Sequence, residues 1–300
     1  MSIEVTGPNA YDQQYRITAL VTLHALKDVP PTKAIVEALG GEDAVIEYAS
    51  LGVSSRLELQ VKTGRGDFDL AALAEVLAHF PPHADDGCLL QRIATADLSR
   101  LLVVTSGRAT DDTRGFLSTA RPVPAKHGRH PLTAKGIDLL ATELKRLYSA
   151  DGKPLEKRRR TKCEKLADEL MQGASIVSGL ARVFVWEQIN DGAVRDEIAR
   201  VLIRDPFRVP LADTVGAIGS LVDEIRAARD HRADALPGIR TVLASRAAAR
   251  LKRNKVYVAR LDHASLVRQV EETGMLPLTG HSKSGKTAFA REYLDWLQGQ

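Results

Sequence analysis

SSRLELQVKT, Ser54–Thr63, alternates with a period of two. Leu57, Leu59 and Val61 fall on one side of an extended chain, and Glu58, Gln60 and Lys62 on the other. This is the pattern of a β-strand. Upstream, AIVEALGGEDAVIEYA (residues 34–49) carries apolar and β-branched residues around Val45 and Ile46. It predicts a strand entered through Gly40-Gly41. Earlier still, Tyr15, Ala19, Val21, Leu23 and Leu26 fit a partly buried helix over 10–27, ended by Pro30 and Pro31. Downstream, Leu70, Leu73, Ala74 and Leu77 form one stripe of a helix over 69–80, and LLVVT (101–105) reads as a short buried strand. The order helix, strand, strand, helix, strand predicts an α/β layer: a mixed sheet with helices on its faces.

The chain has 300 residues, 44% of them hydrophobic and 27% charged, enough for ordinary cores in about two domains. No run of about 18 uncharged apolar residues occurs, so no membrane span is expected. The start, MSIEVTGPNAYDQQY, lacks the basic-then-apolar pattern of a secretory signal. Cys88 and Cys163 are the only cysteines, with no spacing suited to zinc or a disulfide framework. A cytoplasmic protein is expected. Charge is unevenly placed: residues 1–150 hold 16 Lys and Arg against 18 Asp and Glu, and residues 151–300 hold 26 against 20. Lys153, Lys157, Arg158, Arg159, Arg160, Lys162 and Lys165 supply part of the excess. Such a run either neutralises nucleic-acid phosphates or forms a solvated helix start or linker.

RPVPAKHGRHP (121–131) reads as an exposed loop. Beyond it, helices are predicted at 136–148, 162–172, 193–204, 211–229 and 239–251, with breaks at VFVWEQI (183–189), Pro206, Pro210 and Pro237. The expected organisation is therefore 1–150 for the α/β domain, 151–255 for a mainly helical connector or assembly module, and 256–300 for a further segment taken up below.

Chemistry concentrates in Glu42-Asp43 and Glu58-Leu59-Gln60-Val61-Lys62. Cutting a phosphodiester needs a divalent cation to activate water and neutralise charge on phosphorus. Mg²⁺ takes oxygen ligands, commonly one or two carboxylates beside several waters. Asp43 would supply a carboxylate, Gln60 its amide oxygen and Val61 its backbone carbonyl. Lys62 shares a strand face with Gln60, and its ammonium would orient the attacking water and stabilise the pentavalent state. Glu58, on the same face, would hold a second metal or pair with Lys62. On a regular strand Glu42 and Asp43 cannot both point inward, and Asp43 is preferred. The competing explanation is that alternating charges simply mark a solvent face.

The span Tyr11–Gly107, with GEDAVIEY, LELQVKT and LLVVTSG in order, resembles the PD-(D/E)xK nucleases. It looks most like the double-stranded-DNA nuclease domain of bacterial antiphage effectors, including CBASS effector nucleases. The resemblance implies a restriction-endonuclease-like sheet and metal-dependent cleavage of double-stranded DNA, with Mg²⁺ or Mn²⁺. It implies a D…QxK constellation carried by Asp43, Gln60 and Lys62, with Gln in the acidic position as in the Mrr-like branch. The first-helix position that is often Glu in the superfamily is Gln14 here.

GHSKSGKT, residues 280–287, satisfies the P-loop pattern G-x-x-x-x-G-K-[ST]. MLPLT (275–279) precedes it as a plausible strand, and TAFAREYLDWL follows as a plausible helix. Gly280 and Gly285 permit the tight path around phosphate oxygens, Lys286 would reach the β- and γ-phosphates of ATP, and Thr287 would bind Mg²⁺. Thirteen residues follow Thr287, too few for the rest of an NTPase sheet, so the chain is either the front of a longer protein or carries a vestigial loop. The former is favoured. Nuclease, helical connector and P-loop in series resemble an antiphage STAND-type NTPase, which implies self-association and a phage-derived trigger. No ATP hydrolysis is expected of this stretch alone. Two other readings stand beside this one. The first is a non-catalytic DNA-binding or oligomerisation module gripping phosphates through 157–165, and the second is a P-loop ATPase or GTPase with an α/β sensor. The eight histidines form no ligand spacing, and Trp186 and Trp296 read as core or interface residues.

Overall fold

The computed structural model describes residues 8–37, 43–50, 53–63, 66–80, 87–95, 99–117, 133–148, 154–204 and 206–253. Glu42, the 121–131 loop and the P-loop residues Gly280, Gly285, Lys286 and Thr287 lie outside these, as does Trp296.

Helix α1 (Pro8–Asp28) leads into strands β1 (Lys33–Val36), β2 (Ala44–Ser50) and β3 (Val53–Lys62). The alternation in 54–63 is realised: Leu57 and Leu59 are buried against α1 with Val61 packed beside them, and Glu58, Gln60 and Lys62 take the other face. The strand expected around Val45 and Ile46 is β2, and β1 is a further strand that the sequence did not single out. β1 and β2 pair antiparallel, with Ile35 opposite Val45, and β2 pairs antiparallel with β3, with Ala44 opposite Leu59.

After β3 the chain forms α2 (Leu70–Leu77) and α3 (Leu89–Thr95), then β4 (Ser99–Thr105), which lies parallel to β3. Parallel neighbours need such a crossover. The Asp69 carboxylate caps α2 by accepting from the Ala72 N–H at 2.8 Å, worth about 1 kcal/mol. A second crossover, through α4 (Ala134–Arg146), α5 (Pro154–Gln172) and α6 (Ala174–Leu180), delivers β5 (Val183–Trp186) parallel to β4. Then follow α7 (Asp191–Ile203), α8 (Thr214–Asp230) and α9 (Leu236–Arg253).

The result is an α/β fold: a five-stranded mixed sheet, ordered β1-β2-β3-β4-β5, with flanking helices and a helical region after it. One core lies between the sheet and α1, α7 and α8, and includes Leu20, Leu59, Leu102, Ile198 and Leu221. The other includes Leu73, Leu90, Leu101, Val103, Leu144 and Leu166, between the sheet and α2–α6. Both faces are covered, so the polar face of β3 is interior: Glu58 is 2% exposed and Gln60 4%. The first compact unit runs Met1–Leu243, and β5, α7 and α8, which follow residue 150, belong to it. The second unit is Ala244–Gln300, described only over 244–253. Among the described residues, no helix is long and apolar enough to cross a membrane.

Candidate functional site

β3, β4 and β5 are parallel, and β2 runs against them, so the start of β2 and the ends of β3, β4 and β5 share one end of the sheet. Asp43 immediately precedes β2, and Gln60, Val61 and Lys62 end β3. The topology therefore brings Asp43, Gln60, Val61 and Lys62 together.

The half-buried Asp43 is tied from three sides. Its N–H donates to the Leu59 carbonyl at 3.0 Å, and its own carbonyl accepts from the Glu37 N–H at 2.8 Å. Its Oδ2 accepts from the Val61 N–H at 2.5 Å. The carboxylate thus takes a place that a backbone carbonyl holds in a regular ladder, and it lies near the plane of the sheet instead of on either face. On a strand, the N–H and C=O of one residue point to the same neighbour, so the Val61 carbonyl is aimed toward the Asp43 side as well. A hydrogen bond to a charged acceptor is worth about 1.5–3 kcal/mol.

Gln14, on α1, is 8% exposed, and its Nε2 donates to the Asp43 carbonyl at a long 3.5 Å. It touches the backbone of the acidic residue. Gln60 sits opposite Val103 of β4, and Lys62 opposite Thr105, with the Lys62 carbonyl accepting from the Ser106 N–H at 3.3 Å. Among the described residues no carboxylate lies within ion-pairing distance of the Lys62 ammonium, so of the two roles the sequence offers Glu58, the pairing with Lys62 is not formed. Glu58 instead holds two arginines. Oε2 is 3.3 Å from Arg92 of α3, and Oε1 is 3.3 Å from Arg56. Register explains this. Glu58 lies opposite Leu101, under α3 and four residues short of the end of β3.

The loops around Lys62 are held closely. A Cβ at Gly107 would come 2.0 Å from the Gly66 carbonyl oxygen, so only glycine fits there. Phe68 bridges Ala109, and the Thr113 hydroxyl donates to the Phe68 carbonyl at 2.9 Å. Glu187, just after β5, accepts from the Ala109 N–H at 2.6 Å. Sequence reading missed these supports, because each joins residues distant along the chain.

Glu37, just after β1, is anchored from α8. Glu37 has φ 48, a left-handed conformation that costs a non-glycine residue about 1 kcal/mol. Its carboxylate accepts from Arg229 at 2.9 Å, and the same guanidinium lies 4.9 Å from the Tyr11 ring centroid. Those contacts hold the Arg229 pKa above its usual value, the hydrogen bond to Glu37 contributing most. Asp12, Gln13 and Arg16 of α1 and Asp191 and Arg195 of α7 line a cleft of ≈ 360 Å³, and the Gln13 amide donates to the Ile189 carbonyl at 3.2 Å.

The oxygen set is Asp43 carboxylate, Gln60 amide and Val61 carbonyl. It is hard and carries a single charge, a donor chemistry that fits Mg²⁺ or Mn²⁺ retaining several waters and does not fit zinc. Among the described residues there is no group of three or more His, Cys, Asp or Glu placed to hold a metal ion. Comparison with family models, curated proteins and solved structures finds no match to this chain.

Proposed function

We propose that the chain is a metal-dependent endonuclease cutting double-stranded DNA, the effector part of an NTPase-regulated antiphage defence protein. One observation carries the reading: Asp43, distant in sequence from Gln60-Val61-Lys62, comes to the same sheet end with its carboxylate on the Val61 N–H. A mixed sheet entered by a helix that touches the acidic residue, as Gln14 does, supports the restriction-endonuclease-like form of the fold.

A bound Mg²⁺ or Mn²⁺ supplies water activation and neutralises charge on phosphorus. Asp43, Gln60 and the Val61 carbonyl would hold it. Lys62 brings an ammonium with no carboxylate partner among the described residues, available to orient the attacking water and to stabilise the developing phosphorane charge. Glu58 lies two residues further into the sheet, and its arginine partners make it a brace for β3 and α3. The regulatory part rests on GHSKSGKT at 280–287, which would place ATP on Gly280, Gly285, Lys286 and Thr287 and couple nucleotide to self-association.

The test is plasmid cleavage with Mg²⁺, with and without EDTA. Wild type is expected to nick and linearise plasmid, and Lys62→Ala to fold normally and lose cleavage. Cleavage by Lys62→Ala at the wild-type rate would remove the assignment. No metal-dependent cleavage by wild type, with metal-independent DNA binding retained, would favour a non-catalytic DNA-binding or oligomerisation module.

A further inference from the structure

Helix α5 has two chemically opposed sides. Cys163, Leu166, Ala167 and Leu170 are buried in the core against α2, α3 and α4. Lys157, Arg158, Thr161, Lys162 and Lys165 are all exposed, at positions i, i+1, i+4, i+5 and i+8, so they fall on the opposite side of the helix. The basic run is therefore a folded stripe, about 12 Å long at 1.5 Å per residue.

Its charges are available. Arg160 is taken by Glu164 at 2.7 Å, and Asp168 is taken by Lys145 at 2.8 Å. Glu169 accepts from Gln91 at 2.7 Å and reaches Lys165 only at 3.9 Å. Among the described residues no carboxylate lies within ion-pairing distance of Lys157, Arg158 or Lys162. Lys162 is steadied without being neutralised, its ammonium lying 5.0 Å from the Phe80 ring centroid.

We propose that this face of α5 is a docking surface for the phosphodiester backbone of duplex DNA, read without regard to base sequence. The proposal rests on the nuclease reading for the identity of the partner. Charge complementarity carries it: over about 12 Å a duplex presents about seven phosphates, and the stripe offers Lys157, Arg158 and Lys162 at helical spacing. A membrane surface fits less well, since α5 has already buried its apolar side and has none to insert. A single strand fits less well too, because the stripe presents no exposed aromatic side chain on which bases could stack.

The experiment measures binding of the full chain to a labelled random-sequence duplex in EDTA, over a salt titration. The variant Lys157→Ala/Arg158→Ala/Lys162→Ala is compared with wild type and with Lys135→Ala/Arg146→Ala/Arg200→Ala, which removes three exposed cations elsewhere. The α5 variant is expected to lower the slope of log affinity against log salt by about 2.7, and affinity at 0.1 M salt on the order of 100-fold. The control variant is expected to keep most of both. Equal binding by wild type and the α5 variant overturns the proposal and leaves the nuclease reading intact. Equal losses in both variants overturn it in favour of a net-charge effect. A wild-type chain that ignores duplex DNA, whether or not it binds phosphatidylserine vesicles, overturns this proposal and the nuclease reading together.

Discussion

The carboxylate of Asp43 accepts a hydrogen bond from the backbone N–H of Val61, so the acidic residue before β2 is fastened to the strand that carries Gln60 and Lys62. Any metal held by Asp43 then inherits the register of β3. The bond also gives a way to separate fold from chemistry. Asn keeps a carbonyl oxygen that can accept from Val61, whereas Ala removes the acceptor and leaves the N–H unanswered. Asp43→Asn is expected to retain stability within about 1 kcal/mol, and Asp43→Ala to lose about 1–3 kcal/mol, in urea unfolding. Both should lose plasmid cleavage by 100-fold or more, since a neutral amide cannot replace the charge on the ion. Full cleavage by Asp43→Asn would break the link between this residue and the reaction.

Glu58 is the most buried charge on the interior face of β3, and its two partners are unequal. The Arg92 side chain is 16% exposed and that of Arg56 is 39%. Removing the carboxylate breaks its buried pair with Arg92, a loss of about 3–5 kcal/mol. Deleting the more exposed Arg56 costs about 1 kcal/mol at most. Glu58→Ala should therefore unfold at much lower urea than Arg56→Ala, and a Glu58–Arg92 double-mutant cycle should show strong coupling. An additive cycle would mean that the two side chains do not act as a pair.

The alternation in SSRLELQVKT was enough to orient β3, because one strand with a period of two assigns its own faces. It did not show that the polar face is interior, since that depends on α2–α6 covering the sheet. α3 and α6, seven residues each, are too short to display a helical period. VFVW registered only as a gap between helices, because its pairing partner is β4, some eighty residues earlier, and parallel pairing leaves no local signature. Asp43, Gln60 and Lys62 were found as residue types at a spacing. The Val61 N–H that orients Asp43, and Arg92 that occupies Glu58, were not visible, since backbone direction and a partner 34 residues away leave no trace in a linear pattern.

Cys88 and Cys163, distant in sequence, enter the same core and remain free thiols. Burial raises the pKa of Cys88 to about 11, and that of Cys163 to about 12 with a further push from Cys88. In the unfolded chain both ionise near their ordinary value of about 8.5. Between that value and about 11–12, the unfolded state sheds protons that the folded state keeps, so stability is fully present below pH 8 and declines as pH rises through this window. Urea unfolding at pH 8 and pH 10.5 is expected to show this fall in wild type and a shallower one in Cys88→Ala/Cys163→Ala. An identical pH dependence in both proteins would show that the thiols are not its source. At pH 8, thiol-reactive dye should label the folded chain far more slowly than the unfolded one.

Arg229 reaches the candidate site through one intermediary. It holds Glu37 by an ion pair and lies over Tyr11, and the Glu37 N–H holds the Asp43 carbonyl. The side chains of Arg229 and Glu37 are 31% and 38% exposed, so the pair itself contributes at most about 1 kcal/mol to stability. Its larger effect should be on where the Glu37 N–H holds Asp43, because a small displacement of a catalytic group lowers rate more than it lowers stability. Arg229→Ala and Glu37→Gln are each expected to lower kcat for plasmid cleavage several-fold. KM for DNA and the unfolding midpoint should change little. The two effects should fail to add in the double variant, because both act through the same Arg229–Glu37 contact. A rise in KM with kcat unchanged in Arg229→Ala, and no effect of Glu37→Gln, would instead mark Arg229 as a direct contact to phosphate.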